Sequence, residues 1–146
     1  MRTRPKILVV DDSEIVLAAM RLLLESCGYD VHTSPTPFGT ASTISREKPD
    51  LVLLDLIMPS LRGDAVVEML RNSGGFRATR IVLLSDRPER ELGDIARRCG
   101  ADGFICKTLD HDAMVRQVQS WVSSAALTVS SVRRSTTTRW CVRCRA

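Results

Sequence analysis

Short runs of valine, isoleucine and leucine begin near Lys6, Tyr29, Asp50, Thr79 and Ala101, and the stretches between them carry helical rather than alternating hydrophobicity. The spacings of 23, 21, 29 and 22 residues each fit one strand, one helix and two turns, which predicts five βα units. Ile7 to Val10, Leu51 to Leu54 and Ile81 to Leu84 contain no polar residue, as expected of strands buried on both faces of a parallel sheet.

Local signals place the helices. Ser13 is a cap for a first helix whose apolar positions include Ile15, Val16, Ala19, Leu22 and Leu23, and Gly28 is positioned to end it. Thr36-Pro37 reads as the cap and first turn of a second helix that stops at Lys48-Pro49. A third helix is expected between Gly63 and Asn72, ended by Ser73-Gly74-Gly75. Asp110 opens the last one, with Met114, Val115, Val118, Trp121 and Val122 on one stripe. Right-handed crossovers turn this order into an α/β doubly wound five-stranded sheet, a (βα)5 fold whose ligand site lies at the carboxyl ends of the strands.

Composition narrows the class. With 146 residues, 44% of them hydrophobic, the chain suits one ordinary domain over residues 1–125 and a tail over 126–146. The net charge of +4 is a property of that tail: residues 128–146 hold five arginines and no acid, which leaves −1 for residues 1–127. The Ser/Thr-rich tail, with Cys141-x-x-Cys144, lacks helical or strand period and is expected to be disordered. A second thiol pair for a zinc site is missing nearby, and no specific nucleic-acid partner is expected. No apolar run reaches the roughly 18–20 residues of a membrane span, and the first apolar stretch ends in two aspartates, so a cytoplasmic location is expected. Cys27, Cys99 and Cys106 lack metal-ligand spacing and read as small buried or half-buried residues.

The informative charges sit at strand ends. The first strand ends in Asp11-Asp12, the third in Asp55, the fourth in Ser85 and the fifth in Cys106-Lys107. Two carboxylates about 5 Å apart at an effective dielectric near 20 repel by roughly 3 kcal/mol, so such a cluster calls for a cation. An all-oxygen donor set favours Mg²⁺ over Zn²⁺, and a Mg²⁺ held by few carboxylates usually takes a phosphate as a further ligand.

These residues carry a resemblance. Asp11-Asp12, Asp55 within Leu53-Leu54-Asp55-Leu56-Ile57-Met58-Pro59 with Gly63 beyond, Ser85 and Lys107 together resemble the receiver domain of bacterial two-component response regulators, in its stand-alone, chemotaxis-regulator-like form. The similarity covers roughly residues 5–125. It implies a flavodoxin-like strand order 2-1-3-4-5 and a chain that catalyses its own phosphorylation and dephosphorylation rather than turning over a substrate. Asp55 would be the phosphoacceptor, loaded by a sensor histidine kinase or phosphotransfer protein. Asp11, Asp12, Asp55 and the backbone carbonyl of Ile57 would hold Mg²⁺. Lys107 and Ser85 would contact phosphoryl oxygens, and Phe104 would be the aromatic that moves with Ser85 in the switch. A downstream protein would be engaged through the face of the fourth helix, fifth strand and fifth helix, and a phosphorylation-dependent homodimer is a further partner the resemblance implies.

Two positions depart from the family pattern. Thr108 follows Lys107 where the family usually has a proline after a cis bond; a cis bond before a non-proline costs about 2.5–4 kcal/mol, so a trans or strained loop is expected here. Asp86 stands where the family tends to have a small residue, and with Ile57 it suggests a slowly hydrolysed phosphoryl group. The alternative reading is a docking module that works without phosphorylation. An aspartate-nucleophile phosphatase would need a second Asp two positions after the first-strand nucleophile, where Ser13 and Glu14 stand instead.

Overall fold

The computed structural model describes residues 4–127. The tail from residue 128 onward, including Cys141-x-x-Cys144, lies outside the described residues. Five strands, β1 (Lys6–Val10), β2 (Asp30–Ser34), β3 (Leu51–Asp55), β4 (Ile81–Ser85) and β5 (Gly103–Cys106), alternate with five helices. These are α1 (Glu14–Ser26), α2 (Thr40–Glu47), α3 (Gly63–Asn72), α4 (Glu89–Cys99) and α5 (His111–Leu127). The strands form one parallel sheet in the order β2-β1-β3-β4-β5, as expected.

Because side chains alternate across a strand, β1, β3, β4 and β5 each feed two cores, while the edge strand β2 adds Val31 to one. Ile7 and Val9 of β1 join Leu53 of β3 and Leu84 of β4 under α1 and α5. Leu8, Val10, Leu54 and Leu83 point the other way, under α2, α3 and α4. This sandwich leaves only the carboxyl ends of the strands, with their loops, for chemistry.

The helix limits follow local chemistry, with two corrections. Ser13 caps α1 as expected, its Oγ accepting the Val16 N–H at 3.3 Å, and Gly28 adopts φ +90° after the helix ends. The buried stripe of α1, however, is Leu17, Met20 and Leu24, while Ile15 is 83% and Leu22 73% exposed. Nine of the 13 positions of this helix are apolar, so periodicity allows more than one stripe, and packing against the sheet selects among them. Helix α2 begins at Thr40 after Gly39, not at Thr36-Pro37. Thr36 instead uses its Oγ1 to accept the Phe38 N–H at 3.2 Å, and the Thr40 hydroxyl donates to the Pro37 carbonyl at 2.6 Å. The side chain thus closes a turn one residue pair too early for a helix. Cys99 and Cys106 are buried, whereas Cys27, at the end of α1, is exposed.

At β5, Gly103 lies flat under the Trp121 ring of α5. A Cβ built on Gly103 falls 2.1 Å from Trp121 Cζ2, and the ring is also held by Arg80, whose guanidinium lies 5.8 Å from its centroid. Gly103→Ala is therefore expected to cost about 2 kcal/mol of stability, read from denaturant unfolding, because a large buried ring must move. An unchanged midpoint would show that the ring has room to shift.

Candidate functional site

Sheet register brings the strand ends to one edge. Asp55 ends β3 opposite Leu84, Ser85 ends β4 opposite Cys106, and the Lys107 N–H extends the β5 ladder by donating to the Ser85 carbonyl at 2.8 Å. Asp11 follows β1, its N–H donating to the Ser34 carbonyl at 3.1 Å. Four residues from four segments thus meet because their strands stop at the same level.

Asp11, Asp55 and Ser85 are buried, while Asp12 is exposed. One oxygen from each of Asp11, Asp12 and Asp55 lies within 4.8 Å of the other two. The Lys107 ammonium bridges the inner pair, with Nζ 2.8 Å from Asp11 Oδ2 and 3.1 Å from Asp55 Oδ1. Backbone donors complete the frame. The Ser13 N–H donates to Asp11 Oδ1 at 2.9 Å, and the Ile57 N–H reaches Asp55 Oδ1 at 3.4 Å.

The electrostatics follow from burial. Loss of water pushes the Asp55 carboxyl up to about 6; Lys107 pulls it back and the charge of Asp11 adds to the rise. Burial also works to lower the Lys107 pKa, but its hydrogen bonds and attraction to Asp11 and Asp55 outweigh this and leave it above the ordinary lysine value. The cluster is therefore short of positive charge even with its lysine. Three carboxylate oxygens, one residue open to solvent and no thiol or imidazole make a donor set that fits a hard, partly hydrated cation such as Mg²⁺.

The departures noted in the sequence leave this geometry intact. Among the described residues no peptide bond is cis, and the trans Lys107–Thr108 bond still delivers Nζ to both aspartates. A turn in which the Leu109 N–H donates to the Cys106 carbonyl at 3.3 Å does the same positioning. Asp86 is exposed and is not one of the three clustered carboxylates. Ile57 is 44% exposed beside the acceptor. The Ser85 hydroxyl accepts the Arg87 N–H at 3.2 Å, so its own hydrogen remains available for donation. Phe104 faces inward at 6% exposure, with its ring edge 3.7 Å from a Cβ built on Gly93 of α4.

Three contributors were not read from the sequence: the N–H groups of Ser13 and Ile57, which any residue but proline would supply, and the close approach of Gly63. A Cβ on Gly63 falls 2.3 Å from the Asp55 carbonyl oxygen, so α3 can start against the acceptor strand only with glycine there. The Gly63 N–H donates to the Leu56 carbonyl at 2.9 Å and ties the loop shut. The presence of Gly63 in the motif was visible, but its contact with Asp55 was not.

Known proteins are similar to this chain in sequence and fold. The chain is 25% identical over 119 residues to protein PilG of Pseudomonas aeruginosa, covering 82% of this chain and 88% of PilG. It is 33% identical over 126 residues to the probable transcriptional regulator ycf27 of Porphyridium aerugineum, where it spans about half the relative, 51% of its length. Its fold is similar to that of the chemotaxis response regulator CheY4 of Vibrio cholerae, with a TM-score of 0.74 and 24% identity over 82% of this chain and 99% of that one. The sequence pattern of the response regulator receiver domain matches residues 7–119, so with its strand-end aspartates and lysine in place the chain belongs to the receiver domain family of two-component response regulators.

Proposed function

We propose that this receiver takes a phosphoryl group onto Asp55 from a phosphohistidine of a sensor kinase or phosphotransfer protein, and signals by the partner surface it then presents. The observation that carries this reading is Lys107 Nζ set between Asp11 and Asp55, at 2.8 and 3.1 Å. A carboxylate oxygen of Asp55 would attack phosphorus, forming the P–O bond as the P–N bond breaks, and the electron pair would leave with the imidazole nitrogen, which takes up a proton. Asp11, Asp12 and Asp55, with the Ile57 carbonyl, would hold Mg²⁺, which when bound supplies positive charge for the phosphoryl oxygens. Lys107 meets one phosphoryl oxygen as a compact cation, and Ser85 donates its free hydroxyl hydrogen to another. The chain thus acts on itself once per signal and does not turn over a substrate pool.

Output follows from contacts made only in the phosphorylated state. A hydrogen bond drawn from Ser85 changes the space behind β4, where the Phe104 ring rests against α4, and the face of α4, β5 and α5 is remodelled for a downstream protein. The absence of a cis bond and the outlying position of Asp86 weigh against docking without phosphorylation, since neither displaces Lys107.

The test uses a small acyl phosphate donor with Mg²⁺. Lys107→Ala is expected to slow labelling about a hundredfold, the scale of one lost stabilising charge or donor, while Mg²⁺ binding persists. Labelling at the wild-type rate would overturn the role given to Lys107. The wild-type label is expected to outlast seconds, with Ile57 restricting the attacking water; loss within seconds would contradict that.

A further inference from the structure

We infer that α1 is a self-recognition surface, on which a second copy of this chain docks its own α1 antiparallel across a two-fold axis. The starting observation is the face that the core leaves uncovered. Ile15, Ala18, Ala19 and Leu22 follow the i, i+3, i+4, i+7 pattern of one helix face, all four are exposed, and the two large residues are 83% and 73% exposed. Five large hydrophobic residues are exposed among the described residues, and two of them share this face. Monomers rarely present such a stripe without a use for it.

The order of side chains argues for a second copy as occupant. Large, small, small, large reads the same in both directions, so reversing the helix matches the face to itself. Centred between Ala18 and Ala19, an antiparallel pair sets Ile15 over Leu22 of the second copy, and the alanines let the two backbones approach.

Charge selects the direction. Glu14, Arg21 and Glu25 line one flank of α1, a full set of i, i+7, i+11 neighbours. Within the described residues Arg21 donates to the Thr33 hydroxyl at 3.0 Å and neither Glu14 nor Arg21 has an ion-pair partner. In the antiparallel pair, Glu14 of the second copy comes level with residue 23, about 3 Å along the axis from Arg21. Two reciprocal ion pairs follow. A parallel pair would instead place the charged flanks on opposite sides of the interface, each facing Val16 and Leu23 of the other copy, and would form neither ion pair.

One helix pair buries less than the roughly 1,200 Å² of a stable interface, so the dimer is weak and reversible. Its consequence for transfer rests on the phosphoacceptor reading above; the dimer itself does not. The C-terminal turn of α1 in the second copy reaches the level of Asp12 and so overhangs the acceptor edge, excluding a protein donor more than a small one.

Sedimentation velocity of the full chain at low salt tests this over roughly 0.01–1 mM, where a weak association is measurable. The wild type is expected to shift from monomer to dimer with a midpoint of about 0.1 mM. Leu22→Arg, at an exposed position and with an unchanged melting temperature, stays monomeric throughout. Arg21→Glu weakens the dimer about fivefold, the scale of two exposed ion pairs, and Glu14→Arg with Arg21→Glu restores it. A wild type monomeric at every concentration, a dimer that survives Leu22→Arg, or a double swap that fails to restore it would overturn the proposal. Because none of these readouts involves phosphate, failure here is distinct from failure of Asp55 to accept a phosphoryl group.

Discussion

Gly63→Ala is expected to cost more than about 3 kcal/mol of folding stability and to unseat the acceptor loop, the largest effect expected of any single methyl group in this protein. The built Cβ lies 2.3 Å from the Asp55 carbonyl oxygen, 3.0 Å from its carbon and 3.1 Å from Leu56 Cα. All three are backbone atoms, so no side chain can swing aside. Relief requires either β3 to leave its ladder with β4 or α3 to withdraw, which breaks the Gly63 N–H bond to Leu56. Gly75→Ala is the control. Nothing lies within 4 Å of its Cβ and its φ is not positive, so a change within about 0.5 kcal/mol is expected. Urea unfolding of the two variants side by side checks the contrast, and equal midpoints would show that the approach of α3 to Asp55 is not tight.

Asp55→Asn is expected to stabilise the metal-free protein, and only above a particular pH. The folded-state value of about 6 lies above the ordinary carboxyl value of 3.8, so folding favours the neutral carboxyl. The stability Asp55 contributes is full below about 3.8 and is lost as pH rises through about 6, a loss of roughly 3 kcal/mol at 1.36 kcal/mol per pKa unit. Asparagine is neutral at every pH and keeps the shape. The variant should therefore match the wild type near pH 4, gain progressively to pH 6–7 and level off at roughly 2–3 kcal/mol above it. Mg²⁺ should reverse the order, since the cation stabilises the protein that binds it. A gain that does not vary with pH, or a loss at pH 7.5, would mean that burial is not what raises Asp55.

How much of this was legible in the sequence depends on what kind of atom does the work. Strand positions could be read because runs such as Ile81 to Leu84 have no polar residue, and the chemistry could be read because Asp11, Asp12, Asp55, Ser85 and Lys107 close those runs. Helix α1 resisted because most of its positions are apolar: Ile15 and Leu22 fit a helical stripe as well as Leu17 and Leu24 do, and only the sheet decides. The start of α2 failed for a different reason. Thr36 has a cap's chemistry but spends its hydroxyl on a turn, and Gly39 with φ +79° supplies the actual entry. Backbone donors were invisible altogether, since the N–H groups of Ser13 and Ile57 carry no residue identity. Thr108 shows the converse case, a departure conspicuous in sequence that leaves Lys107 in place.

The central claim is that Asp55, held by Lys107 in an acidic cation-binding cluster, accepts a phosphoryl group. Intact-mass measurement of the full chain after incubation with Mg²⁺ and a small acyl phosphate tests it most directly. The wild type is expected to gain the mass of a single phosphoryl group, with no gain in Asp55→Asn and none when Mg²⁺ is chelated. No gain by a wild type that binds Mg²⁺, or an equal gain by Asp55→Asn, would contradict it.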